Sequence, residues 1–245
     1  MSDETGTRLT ERFDKACTEA VAVHGADFRK GTTIPYLSHP LAVASIALEF
    51  GADEDQAIAA LLHDVVEDGG GEEKLDEVRA KFGDEVARIV DALSDAKPAT
   101  GTEKPAWWIR KESYMEKLRG EDAAVALVCA SDKLHNLRSI RADHVDHGPA
   151  LWDRFATKRR GTLWYYGRLA EILPTLLVDG DGARLAALIV EEYTELLDQI
   201  LRDGREHTNE TDLEAELAEG RAMEELAHQK IDPEPKDEID PTVTS

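Results

Sequence analysis

Cysteine is nearly missing from this sequence: Cys17 and Cys129 are the only two in 245 residues, and they form no CxxC pair. Neither a disulfide framework nor a thiolate zinc site is indicated, and a reducing cytoplasm is the natural compartment. Long hydrophobic runs are lacking too. No stretch approaches the length that spans a bilayer, and the first residues, "MSDETGTRLTERFDKA", have no apolar signal-peptide core. Positive charge is outnumbered, with 29 basic against 51 acidic residues and a net charge of -22. Like charge repels polyanions, which argues against general affinity for nucleic acid or anionic membrane while leaving a small anionic ligand open. From Asp203 onward 14 acidic residues face 4 basic ones, so the tail holds almost half of that excess. Solvated charge explains the excess, with adaptation to a saline environment as the alternative. A chain of this length buries a sizeable core unaided, so any bound metal is functional.

Strand-like alternation is also scarce, and the apolar spacing is helical nearly throughout, which predicts an all-α fold. The spacing predicts a first helix over 7–24, then a loop, "GADFRKGTTIPYLSHP", rich in turn formers. Pro40 fits the first position of a helix ending at Gly51, which places His39 at the helix mouth. Asp53 and Gln56 form a capping-box pattern for the next helix, and the glycines at 69–71 end it. Further helices are expected over 73–82, 84–94, 106–119, 121–143, 149–157, 161–177 and 182–203, with a flexible loop over 95–106. The organisation is one domain over 1–204 and an acidic extension over 205–245. A solvated helix is expected over 208–230, and disorder in the last fifteen or so residues.

Titratable groups concentrate in "LLHDVVED", residues 61–68. On a continuous helix His63, Glu67, Asp64 and Asp68 project at about 0°, 40°, 100° and 140°, on one side. A plain amphipathic helix would show the same arc. "AAVALVCA", 123–130, is eight consecutive apolar or small residues, the mark of an enclosed helix, and "SDKLHN" follows at once. Asp132 therefore sits on a buried face, and an unpaired buried carboxylate costs several kcal/mol. It requires a cation, either a basic side chain or a metal ion; Lys133, about 100° away on the wheel, is a poor local partner. His39, His63, Asp64 and Asp132 together offer two imidazoles and two carboxylates from three helices, a donor set suited to a divalent first-row ion.

The segments "RKGTTIPYLSHPLAVA", "AALLHDVVED", "FGDEVARIVDALSD" and "DKLHNLRSI", in that order, resemble the hydrolase domain of RelA/SpoT proteins and the small alarmone hydrolases, within the HD phosphohydrolase superfamily. The resemblance runs over about residues 10–175. It implies an HD-type helical bundle and a manganese-dependent removal of pyrophosphate from the 3′ position of (p)ppGpp, yielding GDP or GTP. It further implies His39, His63, Asp64 and Asp132 as metal ligands, Glu67 and Asp68 as the catalytic acidic pair, and Arg29, Lys30, Asn136 and Arg138 as substrate contacts. One departure stands out: "GTTIPY" is longer than the family's Ser-Gly-x-Pro-Tyr. Synthesis of the nucleotide is not expected, because the acidic remainder is too short and polar for a synthetase domain. The alternatives are a phosphohydrolase acting on another nucleotide, such as a nicotinamide dinucleotide phosphate or a nucleoside monophosphate, and a domain that only binds nucleotide.

Three other features have blander explanations. "RADHVDHG" resembles a metal site, but it lies at a helix end and shows no buried flank in sequence. "WWIRK" and "GTLWYYGRL" read as core aromatics, although Tyr165 or Tyr166 could line a nucleotide pocket by the same family resemblance. Lys158, Arg159 and Arg160 read as a solvated run.

Overall fold

In a computed structural model, residues 6–94, 105–205 and 208–231 are described, apart from the side chains of Asp68 and 226–231. The proposed loop over 95–106 and the acidic terminus therefore fall largely outside the described residues. Among those residues the only β feature is one isolated bridge, Phe28 to Pro35, which pins the loop before the second helix. The fold is all-α: α1 (Glu11–His24), α2 (Ser38–Glu49), α3 (Glu54–Leu62), α4 (Val65–Gly69), α5 (Glu72–Phe82), α6 (Asp84–Leu93), α7 (Trp107–Arg119), α8 (Ala123–His147), α9 (Lys158–Leu176), α10 (Gly180–Arg202) and α11 (Glu210–Ile231).

Local chemistry accounts for most boundaries. Asp53 and Gln56 close the expected capping box on α3, each side chain accepting from the other's backbone N–H. Asp122 caps α8 by accepting from the N–H groups of Ala124 and Val125. α2 starts at Ser38, ahead of Pro40. The proline still falls in the first turn, where no N–H has an intrahelical acceptor. The segment expected as a helix over 149–157 is instead a 3₁₀ helix, Gly148–Arg154. Gly148 takes a left-handed φ of 55° there, so the α8 ladder cannot run on.

Six of the eight apolar residues that open α8, Val125 to Ala130, are buried and form its core stretch, and α8 touches α2, α3, α6, α9 and α10. Each fully buried Val or Leu contributes about 1.5–3 kcal/mol, so this axis is held from several sides at once. Asp132 lies half-way along it.

Three further expectations need correction. The motif helix is not continuous: α3 ends at Leu62, His63 and Asp64 form a turn, and α4 restarts at Val65. His63 Nδ1 donates to the Ala60 carbonyl at 2.8 Å, the group an unbroken helix would offer to the Asp64 N–H. Nor is α11 a solvated helix. It packs on α7 and α9, with Leu213 buried and Gly220 so close to Trp164 that an added Cβ would meet the tryptophan Cβ at 2.7 Å. Arg159 and Arg160, expected in solvent, pair with Glu216 and Glu219 of α11.

Candidate metal centre and its cavity

Three elements converge on one point. α2 supplies His39 from its first turn, the α3–α4 break supplies His63 and Asp64, and the middle of α8 supplies Asp132. His63 Nε2 lies 3.0 Å from Asp64 Oδ2 and 3.8 Å from Asp132 Oδ1. His39 Nε2 lies 3.2 Å from Asp132 Oδ1 and 3.7 Å from Asp64 Oδ2. The helix break explains how neighbours in sequence meet, since a regular helix would splay them by about 100°. Tyr36, from the loop before α2, donates its hydroxyl to Asp64 Oδ2.

The groups of the centre shift one another's titration strongly. Burial alone would lower the His63 pKa, but the adjoining Asp64 and Asp132 carboxylates overcome it and raise the value to about 9. For both carboxylates burial pulls upward and loses. Asp64 is held well below its usual range chiefly by His63, and Asp132 chiefly by Lys133 and His39. His39 is lowered, burial outweighing Asp132. His135 is lowered to about 4 by burial, His39 and Arg29.

A metal fits this donor set on one specific ground. His63 Nδ1 is committed as a donor to Ala60, so a neutral His63 presents a lone pair at its buried Nε2, which faces the Asp64 carboxylate. A lone pair 3.0 Å from a carboxylate oxygen is repulsive unless a proton or a cation lies between them. His39, His63 and Asp64 offer ligand atoms all within 4.8 Å of one another.

The centre floors a cavity of about 220 Å³ lined also by Arg29, Glu67, Lys111, Lys133, Asn136 and Tyr165. A second chamber of about 440 Å³ shares Arg29, Tyr36 and Asn136 with the first and adds Lys30, His135, Phe155 and Tyr166. Arg29 Nη2 donates to Asn136 Oδ1 (3.0 Å) and Asn136 Nδ2 to Asp132 Oδ1 (2.5 Å), linking loop, α8 and centre. Of the residues singled out in sequence, Arg138 lines neither chamber; its Nε bonds Glu192 of α10 at 3.2 Å. Asp68 lies in α4, its side chain outside the description.

Sequence reasoning missed four residues here: Tyr36, Lys111, Lys133 and His135. Lys133 is the instructive one, because its Nζ reaches Asp132 Oδ2 at 2.5 Å despite the angular offset. A helical wheel describes where a side chain leaves the axis, whereas a four-carbon stem bends back. Tyr165 does line the first chamber, with Lys111 and Lys133 5.0 and 5.7 Å from its ring centre. The "RADHVDHG" segment does have a buried flank, contrary to its sequence: His144 is fully buried and bonded by Gln199 of α10.

The sequence profile of the HD domain family matches residues 16–163. The chain belongs to the HD domain family. Among relatives of this HD domain chain, a Streptomyces coelicolor protein named GTP pyrophosphokinase is 32% identical over 197 residues, 80% of this chain and 22% of its own length. A Haemophilus influenzae protein named guanosine-3′,5′-bis(diphosphate) 3′-pyrophosphohydrolase is 35% identical over 123 residues, 48% of this chain and 17% of its own. The HD domain chain thus spans about a fifth of the length of these curated relatives. A solved structure described as a metazoan ortholog of SpoT that hydrolyses ppGpp superposes with a TM-score of 0.61 at 25% identity, covering 77% of this chain and 97% of that one. No described helix is long and apolar enough to cross a membrane.

Proposed function

We propose that the chain is a manganese-dependent (p)ppGpp 3′-pyrophosphohydrolase of the cytoplasm. The observation that carries this reading is the convergence of His39 Nε2 and His63 Nε2 on the carboxylates of Asp64 and Asp132, on the floor of a cavity walled by cations. The names of its relatives point to the substrate.

His39, His63, Asp64 and Asp132 hold the ion, two imidazoles and two carboxylates that leave room for water and substrate oxygens. When bound there, a divalent ion polarises a phosphoryl oxygen and acidifies water. Glu67, on the cavity wall, orients the attacking water and takes its proton, a role typically worth ~10²–10⁴-fold, and Asp68 assists. The water oxygen bonds to phosphorus, the bond to the 3′ oxygen breaks, and that oxygen leaves as a protonated hydroxyl with pyrophosphate released. Arg29, Lys111 and Lys133 offset phosphate charge, which is how an acidic protein holds a polyanionic nucleotide. Asn136 positions Arg29, while Lys30, Phe155 and Tyr166 accommodate the nucleoside in the second chamber. Arg138 has no part in this proposal, because Glu192 occupies it.

A panel of nucleotides with added manganese tests the reading. Pyrophosphate from ppGpp is the expected product. Orthophosphate from another phosphoester, with ppGpp untouched, would replace it with one of the alternative phosphohydrolase activities.

A further inference from the structure

His39 and His63 are both placed to give Nε2 to the centre, yet their other nitrogens are fixed in different ways. His63 Nδ1 faces a backbone carbonyl, which can only accept, so its tautomer is set permanently. His39 Nδ1 faces the Nδ1 of His135 at 2.8 Å, an atom that can donate or accept. A hydrogen bond between two ring nitrogens needs a proton on one and a lone pair on the other.

On the far side of its ring, His39 Nε2 points at Asp132 Oδ1 (3.2 Å) and Asp64 Oδ2 (3.7 Å). As a ligand of the proposed ion this nitrogen must carry a lone pair, and that requirement chooses between the two arrangements. The His39 proton then belongs on Nδ1, and His135 Nδ1 must receive it. In the opposite arrangement His135 would donate to His39 Nδ1, the His39 proton would move to Nε2, and that nitrogen could bind no ion.

We infer that His135 is a positioning residue for the metal centre: it accepts from His39 Nδ1 and so holds His39 in the tautomer that presents Nε2 to the ion. The inference rests on the proposed metal centre. His135 lies three residues beyond Asp132 on α8, so one helix provides both a ligand and the residue that prepares another ligand. The two rings are tilted by 39° with centroids 4.9 Å apart, and His135 also lines the second chamber, so its other face is open to the substrate side.

Manganese affinity of the metal-stripped full chain, measured by electron paramagnetic resonance titration, tests this without recourse to activity. His135→Leu removes the acceptor and should weaken manganese binding on the order of 10–100-fold, the usual effect of losing a partner behind a ligating histidine. His135→Asn places a carbonyl oxygen close to the Nδ1 position and should restore affinity to near the wild-type value. Unchanged affinity in a folded His135→Leu protein overturns the inference while leaving the centre intact. A wild-type chain that takes up no manganese overturns the centre itself. Nitrogen NMR of the zinc-loaded wild-type protein needs no variant: a proton on His39 Nδ1 supports the inference, and a bare Nδ1 ends it.

Discussion

Two charged cavities in this molecule make opposite use of similar side chains. The one between α7, α9 and α11, about 590 Å³, is lined almost wholly by glutamate and arginine. The metal-centre cavity is about 220 Å³. In the larger one opposite charges largely pair off: Arg168 meets Glu171 and Glu224, Arg119 meets Glu116, and Arg221 approaches Glu171. The pairs that cross between helices hold α11 in place. In the smaller one, two carboxylates and two imidazoles from separate elements crowd around one point. Size and charge do not separate a functional site from a structural seam; the kind of donor that converges does.

The largest expected break in that comparison is Asp64→Ala. It removes a ligand and should abolish manganese uptake and pyrophosphate release together, measured by metal analysis and product assay. Retained manganese content would refute the ligand assignment. Glu67→Gln should cost ~10²–10⁴-fold in turnover while manganese affinity stays within about twofold, separating proton transfer from metal holding. On the other flank, Gly220→Val forces a side chain into Trp164 and should cost about 1–3 kcal/mol, seen as a lower melting temperature with altered tryptophan fluorescence and unchanged manganese affinity.

A pH series sharpens the contrast further. His63 has an ordinary pKa of 6.5 and a folded value of about 9, so its contribution is complete below about pH 6.5 and is lost as pH rises through 9. The metal-free protein should therefore lose stability over that alkaline interval. Saturating manganese should flatten the curve, because the ion takes the place of the Nε2 proton. Smallest of all, Arg160→Ala should shift stability by no more than about 1 kcal/mol, since its partner Glu219 is solvent-exposed.

The all-α fold was legible because apolar spacing is a local property: α5, α6 and α8 begin within two residues of where that spacing places them, and α3 begins at the cap formed by Asp53 and Gln56. Asp132 was legible for a related reason: eight apolar neighbours announce a buried carboxylate that must find a cation. What escaped depends on contacts distant in sequence or on side-chain reach. The docking of α11 needs Trp164 and Arg159, some sixty residues earlier, and the burial of His144 needs Gln199 of α10. His135, within "SDKLHN", carries no local sign of its role, because only the folded chain brings α2 beside α8.

The turn at His63 and Asp64 has a further result. Consecutive residues that face a common point form the shortest bidentate bite a polypeptide can offer, with the ring closed through one peptide unit and almost no loop entropy lost in closing it. Half of the proposed grip would thus belong to a single link of chain, and α2 and α8 would have only to bring the other two donors within range of a pincer that local geometry has already shaped.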